Sequence, residues 1–259
     1  MILADAYRKG FLIDLEGALL LRGQPAPGAD ELVQRLQLAH QPHRFVSDQR
    51  YGTPRQTCLL LRRQGLRLDE LRVFTAASAA ARFLARQAPG GKAFVLGDGG
   101  TVTALQRQGF VLDDQEPDYV VVAEGDVLST SLLHRAINLV RSGAKLVSTC
   151  HDGGAPSSTA IVAALETATG RKALPLGRAS PSVVCEAARD LGTSPGQTIL
   201  ITTSMQPDVL TGLQLGLVTV LVMGGHSPSD LRSYPFKPTH VVKSLRDLAD
   251  HALLQEPAA

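Results

Sequence analysis

Apolar residues recur along the chain in two alternating rhythms, short unbroken runs and stripes at helical spacing. Phe11, Leu12 and Ile13 run straight into Asp14, so residues 9–15 read as a strand buried on both faces. The stretch from Gly23 to Pro27 reads as loop. Beyond Gly28, the residues Leu32, Val33, Leu36 and Ala39 fall on one face of a helix. His43–Ser47 is a second short strand, Pro54–Arg63 a helix with Pro54 in its first turn, and Leu71–Thr75 a third strand. This β-α-β-α-β order calls for parallel strands joined by right-handed crossovers.

From about Ala76 to Leu176 the pattern is that of another α/β unit, with candidate strands Ala93–Leu96, Tyr119–Ala123, Lys145–Thr149 and Ala173–Leu176. One helix starts at Ser129, sets Leu132, Leu133, Ala136, Ile137 and Val140 on one face, and stops at Gly143. Another runs from about Ser157 to Thr169 and stops at Gly170. After Gly177 the first rhythm returns. Ser180 and Pro181 open a helix as cap and first residue, with Val183, Val184, Ala187, Ala188 and Leu191 on its face. Ile199–Thr203 is a buried strand, Pro207–Leu215 a helix closed by Gly216, and Val218–Met223 and Thr239–Val242 are strands before a closing helix at Ser244–Leu253. The predicted fold class is α/β, a parallel sheet sandwiched by helices with an α/β module inserted in the middle.

Composition adds bounds. The 259 residues, 44% of them apolar, can build a core and an inserted domain. A formal charge of +2, with no basic run, makes no electrostatic case for nucleic acid or a membrane surface. Cys58, Cys150 and Cys185 lie far apart and form neither a disulfide framework nor a C-x-x-C metal site, as in a reducing cytoplasm. No apolar stretch approaches a membrane span, and Met1 to Asp5 lacks the form of a signal peptide. The expectation is a soluble cytoplasmic protein.

The candidate chemistry begins at Asp14 and Glu16. Residues i and i+2 of a strand point the same way, and ligands of open α/β sheets collect at the carboxyl ends of the strands. Two carboxyl groups there can converge on one ligand, one attacking while the other delivers a proton. The competing reading makes Asp14 a turn residue and Glu16 a solvated charge. Gly97-Asp98-Gly99-Gly100 divides similarly between a phosphate cradle and a plain strand–helix turn. It lacks the Lys-Ser/Thr of a P-loop, which favours the turn.

Asp14-Leu15-Glu16-Gly17-Ala18-Leu19 resembles the D-x-D-G-[VT]-L motif of the haloacid dehalogenase superfamily. Further segments follow in order: Pro27-Gly28-Ala29, Arg44-Phe45-Val46-Ser47, Gly109-Phe110, Pro117-Asp118-Tyr119-Val120-Val121, Arg141-Ser142-Gly143-Ala144, Ala168-Thr169-Gly170-Arg171, Gly177-Arg178-Ala179-Ser180-Pro181, Asp208-Val209-Leu210-Thr211-Gly212 and Pro238-Thr239-His240-Val241-Val242. As an ordered set they resemble the branch that includes nitrophenylphosphatases and the nucleotide-monophosphate, pyridoxal and glycerol-phosphate phosphatases. The resemblance implies a Rossmann-like core at residues 1–75 and 177–259 and a cap at 76–176. It also implies Mg²⁺-dependent hydrolysis of a small phosphorylated metabolite through an aspartyl-phosphate, and a homodimer through the cap.

Carried over residue by residue, the resemblance makes Asp14 the nucleophile and Glu16 the acid/base. Ser47 and Arg178 bind phosphate, and Asp14, Glu16 and Asp208 hold the metal. Asp152, beside His151, becomes the cap's substrate contact, although Thr149-Cys150-His151-Asp152 also reads as an ordinary strand-ending turn. The pattern departs from the family at three of these positions. Glu16 stands for Asp, Arg178 for Lys, and Thr203 for the first Asp of the G-D-x-x-x-x-D motif, here Thr202 to Asp208. Glu16 is one methylene longer, enough to misplace a proton by about 1 Å and cost roughly 10²-fold in rate. Thr203 removes an anionic ligand from a cation that prefers charged oxygens. Two functions follow, a phosphatase of weakened activity, or a degenerate homologue that binds a phosphorylated ligand or a protein partner.

Overall fold

The computed structural model describes residues 9–47, 53–97, 99–125, 129–150, 156–224 and 227–249. Asp98, His151, Asp152 and the end of the expected closing helix lie outside the described residues.

In chain order the first elements are β1 (Gly10–Asp14), a short ribbon of β2 (Leu20–Leu21) and β3 (Gln24–Pro25), α1 (Ala29–Leu38), β4 (His43–Ser47), α2 (Pro54–Arg63) and β5 (Val73–Thr75). Then come α3 (Ala76–Gln87), β6 (Lys92–Leu96), α4 (Gly99–Arg107), β7 (Val111–Leu112), β8 (Tyr119–Val122), α5 (Thr130–Arg141), β9 (Lys145–Ser148), α6 (Pro156–Thr169) and β10 (Leu174–Pro175). The last are α7 (Pro181–Leu191), β11 (Thr198–Thr202), α8 (Leu210–Gln214), β12 (Val218–Val222), α9 (Pro228–Arg232), β13 (His240–Val242) and α10 (Leu245–Ala249).

The chain divides into two compact units. The first, from described residues of 9–47, 54–74 and 187–249, holds a six-stranded sheet in the order β13-β12-β11-β1-β4-β5. Strand β1 pairs in parallel with β11 on one side and β4 on the other, with Ile13 opposite Ile201 and Asp14 opposite Val46. All five residues of β1 and all five of β11 are buried, as expected of central strands covered on both faces. Helix α1 turns Ala29, Leu32, Val33 and Leu36 inward. The second unit, between residues 75 and 186, has a five-stranded sheet in the order β10-β9-β8-β6-β7, parallel at every pairing. Its core joins Phe94, Leu96, Val120, Val122, Ala136, Val140, Leu146 and Leu165. The α/β class and the two parallel sheets agree with the sequence pattern.

Local departures have local causes. Gln24–Pro25 is not loop but pairs antiparallel with Leu20–Leu21, because the chain doubles back at once after the first turn. Residues Glu70–Arg72 form a 3₁₀ turn capped by the Asp69 side chain, so the third strand starts at Val73 and Leu71 is exposed. The chain kinks at Gln206, which is extended (φ −134°, ψ 124°), and from there the helical backbone runs on through Val209 into α8, where a helix from Pro207 was expected. Helix α3 is hidden from apolar spacing, since alanines on every side blur its stripe; a Thr75–Ser78 capping box starts it.

Candidate active site

The strand order of the first unit reverses at β1, with β4 and β5 on one side and β11, β12 and β13 on the other. Ligands of open parallel sheets bind at such a switch point, outside the carboxyl ends of the strands. Three strand ends meet there, those of β1, β4 and β11.

Strand β1 ends on Asp14, which is 1% exposed. The chain then turns through residues 15–19, anchored by buried Leu15, Ala18 and Leu19, and the Leu20 N–H closes the turn on the Leu15 carbonyl. This turn brings the Gly17 N–H to Asp14 Oδ1 at 3.1 Å. A Cβ on residue 17 would lie 2.0 Å from Asp14 Oδ2, so only glycine lets the carboxylate fold back over the turn. Strand β4 ends on buried Ser47, whose hydroxyl donates to Glu16 Oε1 at 2.5 Å.

Strand β11 ends on Thr202, fully buried, with its hydroxyl 2.6 Å from Asp208 Oδ2 and 3.4 Å from Asp14 Oδ2. A hydroxyl carries one proton. The shorter contact assigns that proton to Asp208, and the Ser204 N–H donates to the Thr202 hydroxyl oxygen at 3.0 Å. Asp208, 2% exposed, is delivered by the turn at residues 205–209, which buries Met205 and Val209 beside it. Half-buried Thr203 donates its hydroxyl to the Gly17 carbonyl at 3.1 Å.

Asp14, Glu16, Ser47, Thr203 and Asp208 therefore share one end of one sheet. Arg178 belongs to the second unit, buried in the turn between β10 and α7. Asp152 lies outside the described residues. At Gly97 a Cβ would meet that of Ala123 at 2.6 Å, so the glycine serves the close approach of the ends of β6 and β8. Cys150 has its thiol pKa raised by burial, so it is no thiolate.

Sequence reasoning missed the part played by Thr202. It stands at the motif's glycine position, and nothing in its neighbours reveals a hydroxyl that donates to Asp208 beside Asp14. Nor did it foresee that Ser47 and Glu16, read in separate roles, bond to each other.

Two buried carboxylates, Asp14 and Asp208, lie within reach of one hydroxyl and fit a divalent cation as anionic oxygen donors. Thr203 adds no charge, and among the described residues no group of three or more His, Cys, Asp or Glu is placed to hold a metal ion. Carboxylate oxygens are donors of the class that Mg²⁺ takes.

Known proteins resemble this chain over nearly its whole length. A family model described as Haloacid dehalogenase-like hydrolase matches residues 11–111, and one described as HAD-hydrolase-like matches residues 175–248. The chain is 37% identical over 248 residues to a dihydroxyacetone phosphatase of Corynebacterium glutamicum, covering 93% of this chain and 90% of that one. It superposes on NagD from Escherichia coli K-12 with a TM-score of 0.85 at 28% identity, covering 93% of this chain and 98% of the other. A 4-nitrophenylphosphatase from Thermotoga maritima also gives 0.85, at 26% identity, with 95% and 97% covered.

Proposed function

The chain belongs to the haloacid dehalogenase-like hydrolases, and on that premise we propose that it is a phosphatase acting on a small phosphorylated metabolite through an aspartyl-phosphate, with attenuated turnover. The observation that carries this reading is the carboxylate of Asp14, buried at the switch point and aimed by the Gly17 N–H. A carboxylate fixed in that way has little freedom left to lose on attack.

In this reading Asp14 Oδ2 attacks phosphorus and the alkoxide leaves with a proton from Glu16. The carboxylate of Glu16 then takes a proton from the water that hydrolyses the acyl phosphate, freeing inorganic phosphate and the Asp14 carboxylate. The Ser47 hydroxyl and the Arg178 guanidinium hold non-bridging oxygens. Asp14 and Asp208, with the Glu16 backbone carbonyl, would hold Mg²⁺, which when bound offsets charge on the transferring phosphoryl group. Residues 1–75 and 177–259 serve as core and residues 76–176 as cap, with Asp152 reaching the substrate. A homodimer through the cap and a cytoplasmic location complete the proposal. Among the described residues no helix is long and apolar enough to cross a membrane.

Attenuation has a physical source. Ser47 must release Glu16 before its hydroxyl can serve phosphate, and the Asp208 carboxylate is already engaged by Thr202. The same two bonds favour a second reading, a degenerate homologue that binds a phosphorylated ligand or a partner without turning it over. Hydrolysis of nitrophenyl phosphate, with Mg²⁺ and with chelator, separates the two. Metal-dependent turnover that is lost in Asp14→Asn is the expected result. Background rates in both proteins would refute the enzyme and leave the binding role.

A further inference from the structure

Charge is balanced along this sequence, yet folding gathers part of it. Helix α2 buries Thr57 and Leu61, which sets Arg55, Cys58, Leu59 and Arg62 on its outward face at i, i+3, i+4 and i+7. The chain after the helix returns past that face and adds Arg67, Leu68 and Glu70. Together they line a cavity of about 440 Å³. Three guanidinium groups thus face one concavity that Glu70 also lines, with Asp69 close to Cys58. Among the described residues Arg55, Arg62 and Arg67 have no ion pair. Leu59 is 52% exposed beside them, an apolar floor left open to solvent.

We propose that this groove on α2 is a binding site for a small multivalent anion, distinct from the site at the strand ends. Guanidinium forks match phosphate and carboxylate oxygens in a way that a point charge does not. Three of them around one concavity raise the local concentration of an anion, and the volume lies in the range of small-ligand sites. The Leu59 and Leu68 side chains meet the carbon skeleton of such a ligand, and Glu70 accepts from a hydroxyl or amino group on it. The groove is not a reactive-thiol site. Burial, with Glu70 and Asp69 nearby, pushes the Cys58 thiol up to about 11, so it stays protonated.

The test titrates inorganic tripolyphosphate and, separately, citrate into the full chain at physiological salt without divalent cation, followed by calorimetry. Arg63 neighbours Arg62 on the same helix but does not line the cavity, so Arg62→Gln and Arg63→Gln remove equal charge from different places. Saturable binding at one site per chain is expected, weakened about tenfold by Arg62→Gln and no more than about twofold by Arg63→Gln, as for loss of one charged hydrogen bond. Binding of tripolyphosphate alone assigns the site to phosphates, and binding of both assigns it to polyanions generally. No binding of either, equal losses in the two variants, or affinity untouched by Arg62→Gln would overturn the proposal.

Discussion

The substitution Thr203→Asp tests the proposal that Thr203 limits Mg²⁺ binding at the strand ends. Thr203 Oγ1 lies 3.2 Å from where a Gly17 Cβ would stand, and that point is 2.0 Å from Asp14 Oδ2. A carboxylate at position 203 therefore comes within roughly 5 Å of the Asp14 carboxylate, where two unit charges at an effective dielectric near 20 repel by about 3 kcal/mol. The metal-free variant should lose about that much stability, which for a chain of this size lowers Tm by about 6–12 °C. Mg²⁺ should then restore it, since a ligand at 100 times its Kd contributes about 2.7 kcal/mol. The wild-type chain, with two anionic ligands, should shift far less. The assay is thermal unfolding of both proteins in chelator and in saturating Mg²⁺. A variant as stable as wild type in chelator would refute the charge geometry. Equal Mg²⁺ shifts in the two proteins would refute the account in which Thr203 limits the metal.

Gly17→Ala should drive the Asp14 carboxylate off its N–H donor, because the added Cβ would sit 2.0 Å from Oδ2. A displacement of that order costs roughly 10²-fold in kcat, and the lost charged hydrogen bond about 2 kcal/mol, read by nitrophenyl phosphate turnover and Tm. Unchanged turnover would show that the turn does not aim the nucleophile. His43 gives a pH prediction. Burial lowers its pKa below 6.5, with Arg72 and Arg44 pushing the same way, while its hydrogen bond to the Gln41 carbonyl and nearby Asp69 oppose. The unfolded chain then binds the proton that the native imidazole refuses, so stability held above pH 6.5 falls as pH drops below it towards the folded value. Tm against pH should be flatter in His43→Phe over that window, and an identical slope would exclude His43 as the cause.

Much of the fold is written in local pattern. The unbroken run of Phe11 to Ile13 and the run at 199–201 required strands covered on both faces, and those strands lie at the centre of the first sheet. The stripe of Leu32, Val33 and Leu36 required a helix packed on one side. Such signals survive in sequence because burial of a periodic apolar face is the main favourable term and acts within one element. Where that contrast weakens, the pattern fails, as in alanine-rich α3, or where a turn is closed by hydrogen bonds rather than apolar burial, as at Asp69 to Arg72.

The site divides along the same line. Asp14, Ser47 and Asp208 are legible as short-range motif positions at strand ends or just beyond. Only the tertiary structure decided what their side chains touch. It joined Thr202 to Asp208 beside Asp14, Ser47 to Glu16 and Thr203 to Gly17, and it lined the groove on α2 with Arg55, Arg62 and Arg67. A hydrogen bond depends on distances of tenths of an ångström between atoms up to 186 residues apart. Sequence order carries no such distance; parallel register and the turns after β1 and β11 create it.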